Sequence, residues 1–75
     1  MNSLKAICHI LRCLDKAMDY DEPDISCISS AALGISDNRQ EAIMRMLREE
    51  HLIAGPDLTP RITLRGLEYL QQCRQ

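Results

Sequence analysis

Apolar positions in the first third of the chain recur with helical spacing, but on two sides. Leu4, Ile7, Cys8, Leu11, Leu14 and Met18 form one band, and Ala6, Ile10, Cys13 and Ala17 form a second. One narrow polar stripe, Lys5, His9, Arg12, Lys16 and Asp19, runs beside them. The pattern predicts a helix from Asn2 or Ser3, either of which can cap it, to about Asp19. A surface helix buries a single face, so two bands require cover on more than one side. The cover is either the rest of the same domain or a second copy of the chain. The second option makes Ala6, Ile10, Cys13 and Ala17 a candidate dimer interface.

Residues Asp19-Tyr20-Asp21-Glu22-Pro23-Asp24 break the pattern with crowded carboxylates and a proline. Asp24-Ile25-Ser26 then reads as a short strand. Ser29 or Ser30 caps a brief helix through Leu33, and Gly34 ends it as a left-handed residue. Ser36 or Asp37 caps the next helix, which runs to about Glu50. Its Ile43, Met46 and Leu47 face inward with Ile35 and Leu52, while Asn38, Glu41, Ala42, Arg45 and Arg48 face outward. Ile53 enters a strand, Gly55-Pro56-Asp57 turns the chain, and Leu58-Thr59-Pro60 returns it. Arg61, Thr63 and Arg65 alternate with Ile62 and Leu64, the period of a half-buried strand. A last helix places Leu67 and Leu70 inward with Tyr69 at its edge, and frays from Gln71. The order predicts a mostly α protein with a small β-hairpin (α+β), a winged helix-turn-helix, in one domain over residues 1–75.

Composition narrows the function classes. The net charge is -2, and the two tyrosines are the only aromatic residues. Base-stacking modules for single strands need several aromatics, so that class is set aside. No apolar run approaches the roughly 20 residues of a membrane-spanning helix, and no secretory signal is visible. A cytoplasmic protein without membrane contact is therefore expected. Four cysteines, Cys8, Cys13, Cys27 and Cys73, are read on that basis as reduced, buried thiols. Zinc fits poorly, because the step from Cys8 to Cys13 sets the two thiols about 140° apart on a helix. The acidic stretch also lacks the glycine and the terminal glutamate of a calcium loop. No catalytic constellation, phosphate loop or metal motif appears, so neither an enzyme nor a cofactor is expected. His51, at a helix end, suits the helix dipole.

Three segments carry a family resemblance. They are Ala17-Met18-Asp19-Tyr20, then Ile28-Ser29 with Leu33-Gly34-Ile35-Ser36, then Pro60 through Leu70, which includes Ile62-Thr63-Leu64-Arg65-Gly66-Leu67-Glu68-Tyr69-Leu70. This set resembles the YjcQ-like family of small winged-helix proteins from Gram-positive bacteria and their phages, over nearly the whole chain. The resemblance implies the fold, a phage or prophage setting and DNA binding. It transfers no functional residues. The chain departs from the family between Gly55 and Pro60, where relatives carry a longer wing.

The helix-turn-helix order makes the third helix a reading helix for duplex DNA, with its N-terminal residues on base edges. Asn38 pairs with adenine, and Arg39 and Arg45 with guanine. Arg48, Arg61 and Arg65 hold phosphates. A transcriptional regulator, acting as a homodimer, is the function that follows. The charge opposes strong binding. Residues 1–35 carry three bases and five acids, and residues 36–75 six arginines and six acids. Typical binders are clearly basic. Pairs such as Glu41 with Arg45, at a favourable four-residue step, account for a solvated face without any ligand. The second function class is a protein-docking winged helix, such as a phage-encoded, anti-CRISPR-like inhibitor of a host defence or transcription protein. An acidic patch on it would fill a basic groove of the host protein.

Overall fold

A computed structural model describes residues 3–17, 25–56 and 59–73. The acidic breaker and the expected end of the first helix lie outside these residues. Helix α1 spans Ser3–Ala17, followed by a 3₁₀ turn at Ile25–Ile28, helix α2 at Ser30–Leu33 and helix α3 at Asp37–Glu49. Strands β1 (Ile53–Ala54) and β2 (Arg61–Ile62) and helix α4 (Leu64–Cys73) complete the order. The protein is mostly helical, with one antiparallel hairpin in which Ile53 faces Ile62 and Ala54 faces Arg61. Among the described residues, no helix is long and apolar enough to cross a membrane.

Both apolar bands of α1 turn inward. Ile7, Leu11 and Leu14 of the first and Ala6 and Ile10 of the second are buried. They meet Ile28, Leu33, Ile43 and Leu47, then Leu52, Ile53, Ile62 and Leu70, in one core. The 3₁₀ turn, β2, α3 and α4 all pack against α1. The candidate dimer interface is thereby corrected. Ala6 and Ile10 have 0% exposure and Cys13 is bonded to Cys27, so their own chain occupies this face. The side chain of Ala17 lies outside the described set. Leu4, by contrast, is 61% exposed at the open end of the helix.

The cysteines are corrected as well. Cys8 is disulfide-bonded to Cys73, and Cys13 to Cys27. Their Cα separations of 5.9 and 6.5 Å lie in the range that a disulfide spans. The 140° divergence of Cys8 and Cys13 is what sends each to a different element. Cys8 meets the end of α4, and Cys13 meets the 3₁₀ turn. Two sequence expectations change for that reason. Ile25–Ile28 is a 3₁₀ turn rather than a strand, because Cys27 is tied to Cys13 and its carbonyl accepts from His9 Nε2 at 3.1 Å. Helix α4 runs to Cys73 instead of fraying from Gln71, because its last residue is anchored to α1. The bonds span sequence separations of 65 and 14 residues. By chain entropy they restrict the unfolded state by about 4 and about 3 kcal/mol. Full reduction is expected to lower the thermal midpoint by at least about 10 °C, measured by circular dichroism with and without reductant.

The turn between α2 and α3 is set locally. Ser29 caps α2 by accepting from the Ala32 N–H, and Ser36 caps α3 by accepting from the Arg39 N–H, each at 3.2 Å. Gly34 sits at φ 66°, where its N–H bonds to the Ala31 carbonyl and the next N–H, of Ile35, to the Ser30 carbonyl. This is the paired closure of a helix C-terminus on a left-handed residue. Ser30 Oγ donates to Asp37, and Gln40 Nε2 donates to the Ile28 carbonyl at 3.1 Å. Helix α3 closes the same way, but on a histidine. His51 adopts φ 59°, its N–H bonds to the Arg48 carbonyl, and the Leu52 N–H bonds to the Leu47 carbonyl. A Cβ is disfavoured in that region by about 1–2 kcal/mol, partly offset by glycine's greater unfolded freedom. His51→Gly is expected to stabilise the fold by about 0.5–1 kcal/mol, read from the urea midpoint.

Thr63 is the joint between α3, the hairpin and α4. The alternation through Ile62, Thr63 and Leu64 suggested that the strand continues. It stops at Ile62, and Thr63 caps α4 instead. The Thr63 Oγ1 accepts from the Gly66 N–H at 3.0 Å and donates to the His51 carbonyl at 2.5 Å. Its backbone N–H bonds to the Leu52 carbonyl at 3.1 Å. Leu64 therefore starts a helix and is 76% exposed, where the strand reading had placed it inward. Thr63→Ala is expected to cost about 1–2 kcal/mol by chemical denaturation, and Thr63→Ser to recover most of it.

Candidate nucleic-acid interface

Helix α3 presents a solvent face because its apolar residues are spaced for one buried side. Ile43 and Leu47 are buried, while Asn38, Arg39, Glu41, Ala42, Arg45 and Glu49 are exposed. Asn38, Ala42 and Arg45 follow one another at steps of four and three residues along this face. Ser36 caps the helix, and Asp37 already places a carboxylate in its first turn, where the helix dipole favours negative charge.

The six residues expected to contact DNA divide by their engagements. Asn38, Arg45 and Arg61 are exposed, and no ion pair or hydrogen bond of their side chains is found among the described residues. Arg39 Nη2 donates to Ser3 Oγ at 2.6 Å, which joins the start of α3 to the start of α1. Arg48 is half-buried and turned onto the hairpin, with Nη1 donating to the Gly55 carbonyl at 2.6 Å and Nη2 to the Pro56 carbonyl at 3.2 Å. It clamps the hairpin turn to α3. Arg65 lies 4.0 Å from Glu50, with both side chains well exposed. Such a pair contributes little in water and leaves Arg65 able to reassign. The helix pair expected between Glu41 and Arg45 does not form among the described residues. Across the exposed face of α3, Arg39 and Arg45 stand against Asp37, Glu41 and Glu49, so this surface carries no net positive charge of its own.

Among the described residues, a second group of basic side chains lies on the polar stripe of α1. Lys5, His9 and Arg12 line a groove of about 570 Å³ between α1 and α4, together with Leu4, Cys8, Tyr69, Gln72 and Cys73. Among the described residues, no carboxylate side chain lines it. Tyr69 separates it from a second groove of about 430 Å³, where Met46, Glu50, Arg65 and Glu68 mix both charges. The stripe was visible in the sequence as Lys5, Arg12 and Lys16 at helical spacing. What the sequence hid was the opposite wall, because α4 reaches α1 only through folding. Ser3 and Lys5 lie about 160° apart on α1 by helical geometry. The end of α1 that touches Arg39 thus faces away from the basic groove.

A family model described as YjcQ protein matches residues 8–74. No curated protein and no solved structure matches the chain.

Proposed function

The chain belongs to the YjcQ family, and from that membership and its helix order we propose a winged-helix protein of phage or prophage setting that binds duplex DNA. The observation that carries this reading is the open face of α3, with Asn38 and Arg45 exposed behind a Gly34 turn. Arg61 on β2 adds a cation on the hairpin. In this reading α3 enters the major groove, Asn38 and Arg45 address base edges, and Arg61 and Arg65 address phosphates. Arg39 and Arg48 shape the surface from within, Arg39 against α1 and Arg48 against the hairpin. The protein binds rather than catalyses, and it works in the cytoplasm with its DNA. Two copies would double a modest number of phosphate contacts, through a surface other than the buried band of α1. Duplex-DNA anisotropy on the intact chain tests the reading, and sedimentation of the same sample tests the dimer.

One observation favours a second reading, docking to a host protein. The exposed face of α3 lacks the positive surplus that carries non-specific DNA affinity. An inhibitor of a host defence or transcription protein has no need of that surplus. Asp21, Glu22 and Asp24 belong to this reading and lie outside the described residues. A complex with one host protein that weakens on charge reversal at those three positions would favour docking over DNA.

A further inference from the structure

The two disulfides differ in surroundings. All four cysteines are half-buried, but Cys8 and Cys73 stand in the wall of the open groove between α1 and α4, whereas Cys13 and Cys27 line neither of the two grooves described. Among the described residues, the groove's charged and titratable side chains outside the disulfide are Lys5, His9, Arg12 and Tyr69, and no carboxylate lines it. On α1, Lys5 lies three residues before Cys8 and Arg12 four after it, which puts both on the Cys8 side of the helix. Cys73 has the opposite setting. It is the last residue of α4, at the negative end of that helix. A thiolate is therefore stabilised at Cys8 and opposed at Cys73, which makes Cys8 the better leaving group.

We propose that Cys8–Cys73 is a reversible exchange site for a small anionic thiol, while Cys13–Cys27 is a fixed staple. The cations draw the anionic thiol into the groove, where its thiolate attacks the Cys73 sulfur. The bond between the small thiol and Cys73 forms as the Cys8–Cys73 bond breaks, and the electron pair leaves on Cys8 beside Lys5 and Arg12. A second small thiol attacks the mixed disulfide and departs with the first as a small-molecule disulfide. Two small thiols are oxidised, and Cys8 and Cys73 take up the two electrons and the two protons. The product is a chain whose α4 has lost its anchor at the C-terminal end while Thr63 still holds the N-terminal end. This inference concerns the thiols and does not depend on what α3 binds.

The test exposes the oxidised full chain to reduced glutathione, which is anionic, or to cysteamine, which is cationic. Each rate is normalised to the same thiol's rate with a small model disulfide. Acid quenching, alkylation and peptide mass mapping then locate free thiols and adducts. The expected result is opening of Cys8–Cys73 before Cys13–Cys27, a glutathione adduct on Cys73, and a normalised preference for glutathione. Lys5→Glu with Arg12→Glu should slow the glutathione reaction about tenfold without slowing cysteamine. If that variant does not fold, added salt applied to the native chain should slow glutathione alone. Four free thiols in the purified protein, equal opening of both bonds, an adduct on Cys13 or Cys27, or rates indifferent to thiol charge would each overturn the proposal.

Discussion

Gly66→Ala is expected to destabilise the protein by about 2–3 kcal/mol, against a total of about 4–11 kcal/mol for a chain of this length. In the middle of an exposed helix the same change would be favourable by about 1 kcal/mol. Packing reverses the sign here. A Cβ at Gly66 would press on the Leu52 carbonyl oxygen and come within 2.7 Å of Ile62 Cγ1. The carbonyl is the harder obstacle. It already accepts the Thr63 N–H at 3.1 Å, so it cannot retreat without releasing the joint between α3 and α4. Gly66 is also fully inside the contact, buried in the first turn of α4. Urea denaturation measures the effect. A Gly66→Ala protein as stable as the parent would show that α4 does not rest on the Leu52 carbonyl.

The second large effect concerns Arg45 and Arg61. Arg45→Ala is expected to weaken binding to a selected duplex by about 1–3 kcal/mol and to relax sequence preference. Arg61→Ala is expected to weaken all duplexes similarly and to reduce the salt slope by about one. Neither change should alter stability by more than about 0.5 kcal/mol, because both side chains are exposed. Arg48→Ala should behave differently. It releases the Gly55 and Pro56 carbonyls and loosens the hairpin, so its loss shows first in stability. This contrast separates a reading surface from a clamp. Anisotropy titrations paired with denaturation curves provide both axes. Equal DNA affinity in the Arg45 and Arg61 variants would remove α3 and the hairpin as the contact face.

The helices were legible because their signals are local. Ser29, Ser36 and Gly34 act within four residues of where they stand, and the inward set Ile43 and Leu47 follows from spacing alone. Thr63 was harder. Alternation on either side of it suits a strand, and only its distance from Gly66 and from the His51 carbonyl makes it a cap. The disulfides were not legible at all. Cys8 meets Cys73 only after α4 has crossed α1, and the reading of reduced thiols rested on compartment rather than geometry. The second band of α1 had two readings with the same spacing, and burial within its own chain decides between them. Arg48 was read as facing outward, but it is half-buried and its guanidinium turns to two turn carbonyls that a short hairpin leaves within reach. The basic groove needed α4 as its second wall, so the stripe on α1 alone could not reveal it.

DNA binding by this protein is tested most directly by fluorescence anisotropy of a labelled duplex-DNA pool with the purified, sized protein at about 50 and 200 mM salt. Saturable binding that weakens steeply with salt and falls again on Arg61→Ala is expected. Absence of binding at the lower salt, with the protein folded, would contradict it and leave docking to a host protein as the reading to pursue.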